Sequence, residues 1–99
     1  MLVYLHRRDK NMDYLPIGTV VTIEGMKEQK LMIYGRKQHS ALYDKNYDYV
    51  SVLYPAGNIN DKFNFFFNND DITDIIYKGY QSEEDDRFKE ILNKPMKEE

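Results

Sequence analysis

From Ile17 to Glu24 the chain alternates with period two: Ile17, Thr19, Val21 and Ile23 share one side, and Gly18, Val20, Thr22 and Glu24 the other. Successive side chains of an extended strand point to opposite faces, so this stretch predicts a first strand over about Gly18 to Glu24. Leu15-Pro16 biases the chain ahead of it toward an extended entry. Gly25 opens a short polar connection, Met26-Lys27-Glu28-Gln29, and the apolar run Leu31 to Tyr34 follows, which predicts an antiparallel hairpin. A polar segment, Gln38 to Asn46, leads to YDYVSVLYPAG, with period-two faces Tyr47, Tyr49, Ser51, Leu53 and Asp48, Val50, Val52, Tyr54. This is a third strand, ended by Pro55, which cannot donate to a ladder, and by Gly57. In KFNFFF the side chains of Phe63, Phe65 and Phe67 fall on one face, predicting a short fourth strand.

The group Asn68, Asn69, Asp70 and Asp71 favours caps and Asx turns, so one helical turn is expected around Asp70 to Thr73. Ile75-Ile76-Tyr77 then predict a fifth strand that ends at Gly79. Ser82 at an N-cap, with Asp85 three positions on and Phe88, Ile91 and Leu92 at helical spacing, predicts an amphipathic helix that stops before Pro95. The sum is an α+β fold: a twisted antiparallel sheet of about five strands, open or curled into a small barrel, with a C-terminal amphipathic helix. The organisation expected is an N-terminal extension over residues 1–13, a single domain over 14–94 and a frayed tail over 95–99.

Composition narrows the function classes. Ninety-nine residues, 41% hydrophobic and 31% charged, suit one packed core. With no cysteine the fold rests on no disulfide and the chain has no thiol nucleophile, which fits a cytoplasmic location. No apolar run approaches the roughly 20 residues of a membrane helix, so membrane insertion is not expected. Net charge is −3, unevenly spread: residues 1–40 hold seven Lys/Arg against four Asp/Glu, and residues 41–99 hold seven against thirteen. That asymmetry weakens any reading in which the whole surface embraces a polyanion.

Reaction chemistry finds little to build on. His6 and His39 stand apart from any nucleophile pattern, and Ser40, Ser51 and Ser82 lie in no Gly-x-Ser-x-Gly elbow. The acidic groups Asp70-Asp71 and Glu83 to Asp86 lack the alternating spacing of a calcium loop and read as helix caps. YGRKQHS has one glycine and no helix pattern after it, so it is no phosphate loop; the glycine instead permits a bulge or a bend, with Arg36 and Lys37 delivered to the surface beyond it. No catalytic residue, cofactor or metal ligand is therefore expected. Tyrosine is the unusual feature, with nine in the chain, and tyrosine suits contact surfaces because it carries rigid area with a polar tip.

Four blocks in this order, YLPIGTVV, KLMIYGRKQ, YDYVSVLYPAGN and FFFNNDDITDIIYKGY, resemble domain-of-unknown-function family 4176 over about Tyr14 to Phe88. The resemblance implies small proteins encoded beside type VII secretion and toxin loci of Gram-positive bacteria, some acting as cytoplasmic chaperones or targeting factors. It implies no catalytic residue. The function expected is a non-enzymatic adaptor that binds a secreted toxin or a secretion component, with Tyr34, Arg36, Lys37, Tyr49 and Tyr54 as partner-binding residues. Two alternatives stand beside it: an immunity protein that neutralises a toxin, and a small-barrel nucleic-acid-binding domain that would use Arg36 and Lys37 with Tyr34, His39 and Tyr43.

Overall fold

The computed structural model describes residues 12–95; residues 1–11 of the expected extension and 96–99 of the expected tail lie outside the described residues. Five strands, β1 (Val20–Ile23), β2 (Met26–Ser40), β3 (Lys45–Leu53), β4 (Asn64–Phe67) and β5 (Ile72–Tyr77), form one sheet in the order β4-β3-β2-β1-β5. Every neighbouring pair is antiparallel. The sheet is open, with β4 and β5 as its edges, and is not closed into a barrel. One helix, α1 (Glu83–Leu92), follows β5.

Most predicted elements are present with different bounds. β2 is the large departure: Met26 to Gln29, read as a connection, and Gln38 to Ser40, read as loop, all belong to this strand. Tertiary pairing outweighs local polarity for Met26, opposite Ile23, and for Gln38 to Ser40, opposite Tyr47 to Lys45, while Lys27 to Gln29 fall in a break of the β1 register. Residues on an exposed stretch of a hairpin need no apolar partner, and the ladder with β3 runs from Leu31 opposite Leu53 to Ser40 opposite Lys45. The NNDD group makes its turn as a 3-10 segment, Asn69–Asp71. Its polar atoms are used locally: Asp71 Oδ2 accepts from the Asn68 N–H at 2.9 Å, Asp48 Oδ2 from the Asn69 N–H at 2.8 Å, and Asn68 Oδ1 from the Asp48 N–H at 3.0 Å.

The core lies on one face of the sheet. Val21, Ile23, Leu31, Ile33, Tyr49 and Phe67 pack there with Tyr14 and Leu15 of the entering chain. Each apolar side chain so buried contributes about 1.5–3 kcal/mol. The register changes between Ile33 and Gly35 of β2, where one residue of β2 is left out of step with β3. A single extra residue moves every later side chain to the other face. Ile33 faces the core beside Ser51; beyond the bulge Arg36, not Gly35, stands opposite the buried Tyr49. Glycine is needed at the bulge because a Cβ at position 35 would stand 2.7 Å from Val50 Cγ1.

A second close approach closes the far side of the fold. Gly79 is buried against the Pro16–Thr19 turn, and its N–H donates to Thr19 Oγ1 at 3.0 Å. A Cβ there would run into the Ile17 carbonyl oxygen and lie 3.0 Å from Thr19 N, so backbone and not a flexible side chain would have to give way. Gly79→Ala is expected to lower the unfolding free energy by about 1–3 kcal/mol, read from urea denaturation; an unchanged midpoint would mean that the 78–82 connection does not press on the turn.

Candidate interaction surface

Three of the five side chains expected to bind a partner are engaged inside the protein. Arg36 is only 8% exposed. Its Nη2 donates to Asp85 Oδ1 at 2.7 Å and its Nη1 to Asp85 Oδ2 at 3.1 Å, a two-pronged pair, while Nη1 also reaches the Leu15 carbonyl at 3.3 Å. The guanidinium carbon stands 5.6 Å from the centre of the Phe88 ring. A planar fork of donors matches a carboxylate in this way, and its weak hydration lets it stack on an aromatic face. The cation is thus not delivered to the surface as the straight-strand pattern suggested, because the bulge at Gly35 turns it toward the core and α1.

Lys37 caps the helix. Its Nζ donates to the Leu92 carbonyl at 2.6 Å and to the Lys94 carbonyl at 2.9 Å, satisfying acceptors that the end of α1 leaves unpaired. The residue holds φ at 53°, in the left-handed region that costs a side chain about 1–2 kcal/mol. Tyr49 is completely buried. Its hydroxyl accepts from the Leu15 N–H at 3.0 Å, and burial, chiefly, pushes its pKa up to about 12.

Tyr34 and Tyr54 remain accessible, at 45% and 46% exposure. Met32 pairs with Val52, Val52 with Asn64, and the Tyr54 N–H donates to the Lys30 carbonyl, so these positions share the sheet face opposite the core. Tyr34 extends across it and hydrogen-bonds Asn64. The structure therefore brings Tyr34 and Tyr54 to one face and separates them from Arg36 and Tyr49. Of the histidines, His6 lies outside the described residues, and His39 meets Asn46 Oδ1 at 2.8 Å through Nδ1.

Other exposed groups lie outside the five expected partner-binding residues. Ile75, Ile76 and Tyr77 on edge strand β5 are each at least 50% exposed, and Tyr80 is 82% exposed. Ile17, Tyr80, Ser82, Glu84, Asp85 and Phe88 line a groove of about 540 Å³ between the Pro16–Gly18 turn and the start of α1. Phe88 and Ile91 were expected on the buried side of the helix, yet both are about half exposed, and only Leu92 of the three predicted apolar positions reaches the core. The cause is the helix's polar attachment. Arg36 draws Asp85 inward and Leu92 packs on the core, which fixes the rotation so that Lys89, on the same side, meets the exposed Asp13 carboxylate at 2.9 Å. Ser82 caps the first turn by accepting from the Asp85 N–H at 3.1 Å, while the Asp85 carboxylate is given to Arg36 instead of closing a capping box.

These geometries separate structural from accessible residues. Arg36→Ala would strand Asp85, whose side chain is 17% exposed, and is expected to cost about 2–3 kcal/mol, whereas Tyr54→Ala is expected to stay within about 0.5 kcal/mol of wild type by urea denaturation. The Arg36 hydrogen bond, above all, holds the Asp85 carboxyl below its ordinary 3.8. Because the folded value is the lower one, the pair's contribution is present above pH 3.8 and is lost as pH falls through the depressed value. Asp85→Asn should remove this part of the acid dependence; a variant with the wild-type profile would show that the pair has no role in it.

Residues 14–88 of the 99 match the family described as Domain of unknown function (DUF4176), a span that contains the whole sheet, the groove and the first half of α1. Comparison with curated proteins and with solved structures gives no match. The chain belongs to the domain-of-unknown-function family DUF4176.

Proposed function

We propose that this chain is a non-enzymatic protein-binding adaptor, a chaperone or targeting factor that holds a toxin in the cytoplasm before export by a type VII secretion system of Gram-positive bacteria. The observation that carries the adaptor part is the set of exposed apolar side chains: Ile75, Ile76 and Tyr77 along edge strand β5, then Tyr80 with Ile17 and Phe88 around one groove, and Ile91 further along α1, all at least 45% exposed. Side chains of this kind lose unfavourable contact with water when a partner covers them. The toxin part comes from the character of the family that the sequence resembles. Arg36 and Lys37, the cations on which a phosphate-binding face would have rested, are both engaged within the chain, which favours a protein over a nucleic acid as the partner.

Deleting the gene is expected to leave the cognate toxin inside the producing cell and absent from the medium, while expressing it alone gives no protection against the toxin's catalytic domain. Normal export in the deletion strain would remove the targeting reading, and protection without an export defect would replace it with an immunity function.

A further inference from the structure

The groove that ends the 78–82 connection has a composition that specifies what fits it. Its apolar walls are Ile17 from the turn after Pro16, the Tyr80 ring and the exposed part of Phe88. Gly79, pressed on the Ile17–Thr19 backbone, sets Tyr80 beside Ile17, and Arg36, stacked over Phe88, fixes the third wall. These walls belong to three separate segments; the Gly79 contact holds the backbone next to Tyr80, and Arg36 holds Phe88, while Tyr80 itself is 82% exposed.

The charge among its lining residues is acidic. Glu84 lines the groove, is exposed and takes part in no ion pair among the described residues; Glu83 precedes it in the first turn of α1, outside the lining, and the exposed Arg87 stands one turn further on. Asp85, the remaining carboxylate of the lining, is already neutralised by Arg36. An acidic partner would meet the unpaired Glu84 carboxylate with Glu83 next to it, and a purely apolar one would make no use of either. A lysine or arginine placed beside an apolar side chain satisfies both requirements: the apolar group enters between Ile17 and Phe88, and the cation meets Glu83 or Glu84 with the Tyr80 ring close by.

We propose that this groove receives a basic, apolar segment of the partner protein. The proposal rests on the adaptor reading and names the chemistry that the adaptor recognises. The full chain, labelled with nitrogen-15, is titrated with two short amphipathic peptides, one of leucine and lysine and one of leucine and glutamate. The leucine-lysine peptide is expected to shift the amide signals of Ile17, Tyr80 and Phe88 in a saturable way, and the leucine-glutamate peptide to leave them in place. Reversing both charges, with Glu83→Lys and Glu84→Lys together, should weaken binding about tenfold or more.

Those substitutions also place positive charge at the start of a helix, so Asp86→Lys is the matched control. It changes the charge of the same first turn by two units, as Glu84→Lys alone does, but lies on the other flank, beside Lys89 and Asn93; Glu84→Lys should weaken binding and Asp86→Lys should leave it in place. Tyr80→Ser, at a site 82% exposed and outside α1, should weaken binding without moving the thermal midpoint. Shifts scattered over the surface, equal binding of both peptides, or an equal loss with Asp86→Lys would each overturn the proposal. Toxin export distinguishes this failure from that of the adaptor reading. If export depends on the protein but survives Tyr80→Ser and the double charge reversal, the groove is wrong and the adaptor stands; if export never depended on the protein, the adaptor falls whatever the peptides do.

Discussion

The fold depends on one buried cation. Arg36 joins three segments far apart in sequence: its own strand β2, the Leu15 carbonyl of the entering chain and the Asp85 carboxylate of α1. A guanidinium taken out of water is tolerated only where its donors find acceptors, and here two nitrogens meet both oxygens of one carboxylate. The arrangement follows from the bulge before it. Without the extra residue between Ile33 and Gly35, position 36 would lie on the opposite face, the helix would lose its main anchor and a charge would fall among Val50 and Val52.

The helix is attached in an unusual balance. None of its residues is fully buried, so the apolar contribution is limited to Leu92 and part of Phe88. Polar contacts make up much of the rest: Arg36 at the first turn, Lys37 on the last carbonyls, Lys89 with Asp13, and Asn93, whose amide side chain pairs with both the N–H and the carbonyl of Met12. The Asp13 pair is largely in water and adds little, about 0–1 kcal/mol, so the Arg36 pair and the end cap carry most of the polar part. This attachment leaves Phe88 and Ile91 half exposed, and the groove exists because the helix is held by charge along one side and not by its apolar stripe.

What could be read from the sequence follows the same division. Strand order along the chain, the Ser82 cap, the end of the helix before Pro95 and the antiparallel α+β class were legible, because each is set by local pattern: alternation, a capping side chain, a residue without an N–H; whether the sheet stays open or curls into a barrel was not. The extent of β2 was not, since Gln38 to Ser40 look like loop residues and are strand through pairing with Tyr47 to Lys45, and Lys27 and Glu28 are extended within the break of the β1 register. Gly35 was legible as a bulge, but its consequence was not, because the direction in which a bulge turns Arg36 depends on what lies on each face. Tyr49 could not be separated from Tyr54 by type, although one is wholly buried and the other is 46% exposed. The groove was invisible for a related reason: Ile17, Tyr80 and Phe88 are ordinary apolar residues whose exposure is decided by the Arg36 and Gly79 contacts.

In the proposed adaptor role, edge strand β5 favours contact through side chains over contact through backbone. An open edge is a template for a further strand, and six residues including three isoleucines would be a strong one. Yet the register of β5 against β1 breaks twice, between Val20 and Val21 and between Thr22 and Ile23, leaving Ile76 and Thr73 out of step with the ladder. Such bulges twist an edge and interrupt the row of groups that an incoming strand would use, and Asp74 adds a charge within it. The opposite edge is in regular register but is four residues long and opens on Asn64. Both edges are therefore poor templates for indiscriminate pairing, while the exposed apolar side chains of β5 and the groove beyond Gly79 stay accessible. Pairing through backbone would accept almost any extended chain; the proposed contact through Ile17, Tyr80, Phe88 and the adjoining carboxylate would accept only a segment with the right side chains, the distinction that the proposed adaptor role requires.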